Sequence, residues 1–450
     1  MFQSINPFDQ QLIAEHPADT ASGIDQKIAA AHGAFLRWKA LSFEQRGEYF
    51  LTLADYLRQQ KEQLAGIMTD EMGKILAEAR SEIEKCAVQC EYFAAHSERL
   101  LRVEVVETEA QESTIVFEPV GVVLAIMPWN FPFWQVFRYA VPALMAGNAT
   151  LLKHAPNVLG CAKAIEKAFA ESGFPKGVFQ NLFCENQVIE TVLAHPFVAM
   201  VTLTGSERAG ASVAATAARN IKKSVLELGG SDALIVLQDA DLEAASTAAV
   251  ASRMMNAGQV CIAAKRLLVH NSVKERFIEL ITQKINAIKV GNPRQEGVGM
   301  GPLARLDLAQ SIEKQYDSAV LGAAKIRIPI KRSGCFVTPC LLEIEDPDSV
   351  VFKEETFGPL AVVMGFETPA QAVELANGSV YGLSAAVWTR DATLAKNMAQ
   401  QLEVGSVFIN AVVRSDARLP IGGTKKSGYG RELSEIGIRE FCQTKVVYVA

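Results

Sequence analysis

Hydrophobic positions change their spacing along the chain, and each change predicts a different kind of element. Over 23–100 the apolar positions recur at helical intervals. Ser42, with Gln45 three residues later, forms a capping-box pattern ahead of Tyr49, Phe50, Leu53 and Leu57. A second long helix is predicted from Thr69 to about Leu101. Over 103–118 the alternation of Val103, Val105, Thr114, Val116 and Glu118 with other residues predicts a β-ribbon.

Beyond residue 120, short apolar runs alternate with helical segments. Strands are predicted at 120–127, 149–153, 178–182, 198–204 and 224–227. Helices are predicted between them, near 133–145, 157–172, 187–194 and 206–219. A second series follows, with strands at 233–236 and 266–269 and helices over 241–255 and 272–288. Such alternation predicts parallel sheets covered by helices. Two α/β units meet near Gly229 and Gly230, with no fixed-period repeat and no low-complexity linker.

Composition narrows the class. A chain of 450 residues, 49% hydrophobic and 21% charged, folds as two or three domains with a large core. Lys and Arg number 44 against 50 Asp and Glu, a net charge of −6. With no long basic run, nucleic acid and anionic membrane are excluded as expected partners. The start, MFQSINPFDQQ, carries no signal-peptide pattern. The most apolar stretch, 120–153, is interrupted by Pro128, Asn130, Pro132, Arg138 and Pro142, so no membrane span is expected. Eight scattered cysteines suit a reducing cytoplasm.

Four segments carry candidate chemistry. Cys261 ends Asn-Ala-Gly-Gln-Val-Cys, at what reads as a loop-to-helix junction where amides stabilise a thiolate. The alternative is a buried structural cysteine. Glu227 ends an apolar strand, at the sheet edge where α/β proteins build sites, and partial burial raises a carboxyl toward general-base range. Asn130, in Pro-Trp-Asn-Phe-Pro, either offers its amide to an oxyanion or caps the helix near 133. Gly205 and Gly210 follow a strand and open a helix, so the backbone there can approach a diphosphate. Cys86 and Cys90 share a helix face but lack further ligands, and no metal site is expected. The pair Gly428 and Gly430 follows a basic turn and is no dinucleotide fingerprint.

Taken together, these segments resemble the NAD(P)-dependent aldehyde dehydrogenase superfamily. The motifs run in order over most of the chain: PWNFP at 128–132, Lys153, TGS at 204–206, ELGG at 227–230, GQVC at 258–261, EETFGP at 354–359 and PIGGTKKSGYGRE at 420–432. The resemblance implies Cys261 as nucleophile, Asn130 with the Cys261 N–H as oxyanion hole, and Glu227 as general base. It implies NAD or NADP as cofactor. Lys153 then serves the adenine-side ribose, Gly205 and Ser206 the diphosphate, Glu355 the other ribose, and Trp129 and Phe357 the nicotinamide. The short succinate-semialdehyde dehydrogenases are the subgroup it looks most like. That implies Arg138 as a carboxylate-binding residue, with Trp134 as a wall and Arg414, Ser415 or Arg418 as further contacts. Pro156 stands where NAD-preferring members carry an acidic residue, so NADP is allowed.

The implied fold is two Rossmann-like units with a small β-ribbon element for oligomerisation. The cofactor unit spans 1–102 and 121–227, the catalytic unit 228–430, and the element 103–120 and 431–450, which implies a homodimer or homotetramer. Two alternatives remain at this point. Another aliphatic or aromatic aldehyde leaves Arg138 structural. A cysteine acyl-hydrolase would need only Cys261 and Glu227, and no dinucleotide residues.

Overall fold

In the computed structural model, which describes residues 1–450, the five strands predicted between 120 and 227 all form and lie parallel. Their order is Lys223–Glu227, Val198–Thr204, Val122–Met127, Ala149–His154 and Phe179–Asn181. Along the central strand Val123 and Ala125 enter one core while Val122 and Leu124 enter another. Helices therefore cover both faces, as the continuous apolar runs require. Chain order reverses beside Val122–Met127, which opens a crevice at the carboxyl ends of the strands.

A second sheet holds seven strands. Their order is Lys325–Ile328, Cys340–Ile344, Leu360–Phe366, Ala264–His270, Asp232–Val236, Ser384–Trp388 and Ser406–Ile409. All its pairings are parallel except the one made by Lys325–Ile328. Five of these strands lie beyond residue 320, outside the segments that the apolar spacing predicts as strands. An N-terminal hairpin, Phe2–Ile5 with Leu12–His16, was also not predicted, because its strands are too short to show a period.

The C-terminal region departs from the expected boundaries. The strand Gly428–Tyr429 pairs antiparallel with Leu226 and Glu227, so the chain returns to the edge of the first sheet before residue 430. Glu432 is then buried in the first unit, not in a peripheral ribbon. Only Cys442–Val449 joins Glu112–Pro119 and Glu104–Val105 in a three-stranded antiparallel ribbon. No helix is long and apolar enough to cross a membrane.

Helix boundaries follow local chemistry. Ser42 and Gln45 form the predicted capping box at the start of Phe43–Gln59. The single helix predicted from Thr69 is instead two, Lys61–Met72 and Leu76–Leu100, because Gly73 stops the first in a left-handed conformation at φ 80°. A Cβ at Gly73 would lie 2.7 Å from the Pro302 carbonyl oxygen, so the break docks the helices against the second unit. Gly73→Ala combines left-handed strain with this clash and should cost about 2 kcal/mol or more. Urea unfolding measures it, and an unchanged midpoint would show that the joint is not strained.

Candidate active site

Cys261 lies in a turn between the segment Met255–Gly258 and the strand Ala264–His270. No helix begins there, so the expected stabilisation by helix N-terminal amides is absent. The segment leading into this turn holds three successive left-handed residues, Asn256, Ala257 and Gly258, with φ of 51°, 53° and 76°. A side chain on Gly258 would overlap the Gly358 carbonyl, which explains the glycine in GQVC.

Asn130 sits beside this turn. Its Nδ2 donates to the Gln259 carbonyl at 3.0 Å, and the Asn256 amide donates to the Asn130 carbonyl at 2.7 Å. One hydrogen of the Asn130 amide remains for another acceptor. Asn130 does not cap the helix Trp134–Met145. Glu82 does so, accepting from the N–H groups of Phe133 and Trp134 at 2.9 Å each while ion-paired with buried Lys74.

Two cavities meet at Cys261. One, of about 370 Å³, is lined by Trp129, Asn130, Gly205, Ser206, Glu355 and Phe357 among others. The other, about 420 Å³ and largely apolar, is lined by Phe131, Trp134, Arg138, Val260, Val413 and Ser415 among others. The residues expected around a nicotinamide thus face the thiol from one side, and most of those expected around a substrate face it from the other. Lys153 and Pro156 line a smaller neighbouring cavity, where Lys153 Nζ donates to Asn186 Oδ1 at 2.7 Å. Glu185 lies on its wall, so the site is not free of carboxylate as Pro156 alone suggested.

Two expected roles need correction. Arg418 points away to solvent, its guanidinium on Asp416 at 2.6 and 2.8 Å, and it lines neither cavity. Gly210 packs the helix Glu207–Arg219 against Leu228, where a Cβ would come within 2.6 Å, and it lines neither cavity at Cys261. Ser206 is the N-cap of that helix, accepting from Ala209 N at 3.3 Å.

Charge is concentrated behind the thiol. Arg138 is 2% exposed and donates through Nε to Glu432 and through Nη2 to Thr204 Oγ1 at 3.1 Å. Its Nη2 lies 3.7 Å from a carboxylate oxygen of Glu227. Glu227 is fully buried rather than partly so. Burial pushes its carboxyl up to about 7 against the pull of Arg138, and its Oε1 has no partner. Burial likewise raises the Cys261 thiol to about 11, although Arg138 and Lys265 favour the thiolate. Lys265 and Glu432 were not anticipated. Lys265 is buried with Nζ 2.6 Å from the Cys261 carbonyl and 3.1 Å from Glu355 Oε1, tying the Glu355 carboxylate to the Cys261 turn.

The profile of the aldehyde dehydrogenase family matches residues 1–447. The chain belongs to this family. It is similar over 448 residues, at 42% identity, to the Escherichia coli succinate semialdehyde dehydrogenase Sad, named for NAD(P)+, with 99% of this chain and 97% of the relative covered. At 43% identity over 453 residues it resembles succinate-semialdehyde dehydrogenase 1 of Mycobacterium tuberculosis, named for NADP(+), with 99% of both chains covered. The crystal structure of succinic semialdehyde dehydrogenase from Streptococcus pyogenes with NADP+ superposes with a TM-score of 0.97 at 34% identity, covering 100% of both chains.

Burial keeps Cys261 a thiol near neutral pH. Its alkylation by iodoacetamide should therefore keep accelerating from neutral pH to about 10, without levelling, and Lys265→Met should slow it at any fixed pH. A plateau reached below pH 8 would contradict the burial-raised thiol.

Proposed function

We propose that the chain oxidises a short ω-carboxy aldehyde, succinate semialdehyde first among them, to the carboxylic acid with NADP+ or NAD+. The supporting observation is the shape of the second cavity: apolar walls leading from Cys261 to the Arg138 guanidinium and the Ser415 hydroxyl. Arg138 keeps Nη1 without an acceptor in the protein, and a carboxylate suits that donor. A four-carbon semialdehyde spans roughly 5–6 Å from aldehyde carbon to carboxylate, a length that such a cavity holds.

The donor set on the other side fits a dinucleotide. Lys153 would contact the adenine-side ribose or its phosphate, and the N-terminus at Ser206 the diphosphate. Glu355, whose Oε2 has no protein donor, would accept from the second ribose. Trp129 and Phe357, edge to face at 5.8 Å between centroids, would flank the nicotinamide. When bound, the cofactor supplies the hydride acceptor.

The residues of the chain divide the remaining work. Cys261 Sγ adds to the aldehyde carbon as its thiolate, the form that Arg138 and Lys265 favour. The Asn130 amide and the Cys261 N–H stabilise the oxyanion, a term worth about 3–4 kcal/mol per donor. Oxidation leaves a thioester on Cys261. Glu227 lines neither cavity in its present position, so it rotates off Arg138 to activate the hydrolytic water.

We extend the proposal to assembly and compartment. The strand Cys442–Val449 exposes Val446 and Tyr448, at 68% and 52%, on an open ribbon edge that suits pairing in a homodimer or homotetramer. All eight cysteines are free thiols, as a reducing cytoplasm maintains. Mass photometry tests assembly, and a purely monomeric chain would overturn it.

A steady-state panel of succinate semialdehyde, butanal and benzaldehyde, each with NADP+ and NAD+, tests the function. kcat/KM should be highest for succinate semialdehyde by tenfold or more, with NADP+ accepted. A preference for either neutral aldehyde would overturn the substrate class, and ester hydrolysis without any reduced cofactor would favour the acyl-hydrolase.

A further inference from the structure

One cation in the substrate cavity has no anion to answer it. Lys85 projects from the helix Leu76–Leu100 and lines the same cavity as Arg138. Its Nζ donates to Ser415 Oγ at 2.5 Å and lies 4.0 Å from the centroid of the Trp134 ring. No carboxylate lies within ion-pair distance of it, whereas every acid nearby is already held. On its own helix, Glu82 is engaged by Lys74 and by two backbone N–H groups, and Glu78 accepts from the Asn256 N–H. On the facing loop, Asp416 is taken by Arg418, and Arg414 is exposed at the rim. The Cys86 thiol beside Lys85 is buried and held far above its usual range. Arg138, in the same cavity, is paired with Glu432.

An ammonium half-buried in a largely apolar cavity, against one hydroxyl and one indole face, is incompletely compensated for the hydration it has lost. A lysine with a purely structural task would be paired, as Lys74 is with Glu82. We infer that Lys85 is a specificity-determining residue, which grips the distal carboxylate of the substrate together with Ser415. The inference rests on the ω-carboxy aldehyde class proposed above. The hydrogen bond supports it in a second way. Because Lys85 donates to the Ser415 oxygen, the Ser415 hydroxyl hydrogen is turned elsewhere and is free to donate to the same carboxylate. The substrate anion would then lie between the free Nη1 of Arg138 on one side and the Lys85–Ser415 pair on the other.

The arrangement has a pH signature. Burial and the repulsion of Arg138 hold the Lys85 ammonium down to about 8, against weaker pulls from Cys86, Glu82 and Asp416. Below that pH the lysine is charged and attracts the carboxylate, and above it the attraction is lost. Glu78, pushed up by burial, also faces the cavity, so its ionisation can add a repulsion of its own. The ratio of kcat/KM for succinate semialdehyde to that for butanal isolates the effect, because titration of Cys261 and Glu227 enters both terms equally.

The test measures this ratio from about pH 6.5 to 10 in the wild type, Lys85→Met and Lys85→Arg. In the wild type the ratio should fall as pH rises through about 8. Lys85→Met should lower it about 30-fold at neutral pH, the scale for removing one partner of a buried charge-assisted contact, and remove the step near 8. Lys85→Arg keeps a charge at all these pH values and should hold a high ratio to the alkaline limit. A Lys85→Met ratio equal to the wild-type ratio would overturn the inference while leaving the substrate class standing. So would equal losses on both aldehydes. A wild-type ratio near one at every pH would overturn the substrate class itself, and the role of Lys85 with it.

Discussion

The site is assembled around one buried guanidinium. Arg138 comes from the helix that follows the Asn130 loop, Thr204 and Glu227 end neighbouring parallel strands in register, and Glu432 returns from the C-terminal segment. Two carboxylates and a hydroxyl converge on one cation that is almost without solvent. Removing the cation would leave two buried acids unanswered, a loss of about 3–5 kcal/mol by the usual cost of breaking a buried pair. Everything that must stay aligned at Cys261 is therefore fixed by a charge cluster, and the strand ends, the Asn130 loop and the tail cannot shift independently. The cluster also explains why the tail crosses back to the first sheet at Gly428–Tyr429 before it leaves for the ribbon.

Electrostatics around this cluster keep the machinery quiescent. Cys261 is a thiol because burial outweighs Arg138 and Lys265, while Glu227 is balanced near neutrality by burial against Arg138. A thiol in this condition resists alkylation and oxidation at rest. Lys265 connects the two halves, since the same ammonium holds the Cys261 carbonyl and the Glu355 carboxylate. Glu82 performs a matching task on the other side, fixing the start of the helix Trp134–Met145 with a side chain from 51 and 52 residues upstream.

Much of this was legible in the sequence, and the division follows a physical line. Cys261, Asn130, Gly205 and Glu355 sit in short motifs whose backbone geometry is local, such as the three left-handed residues that lead into the Cys261 turn. Strands between 120 and 227 were legible because parallel strands buried on both faces are continuous apolar runs. Lys85 and Glu432 were not, since each is defined by a partner 330 or 294 residues away, and neither stands out among the charged residues around it. Arg418 failed for the converse reason. Its place in the sequence suggested a pocket residue, while Asp416, two positions earlier, holds it in solvent. Gly73 and Gly210 show the same limit, because only the packed structure reveals what a Cβ there would strike.

The proposed reaction requires Cys261 to carry the substrate as a thioester that Glu227 helps to release. Glu227→Gln, mixed with succinate semialdehyde and NADP+ and quenched in acid within seconds, should accumulate protein heavier by about 100 Da, the mass of one succinyl group joined to a thiol. Peptide mapping should place that group on the fragment containing Cys261. Full turnover in this variant with no acylated protein, or the added mass on any other cysteine, would contradict the account.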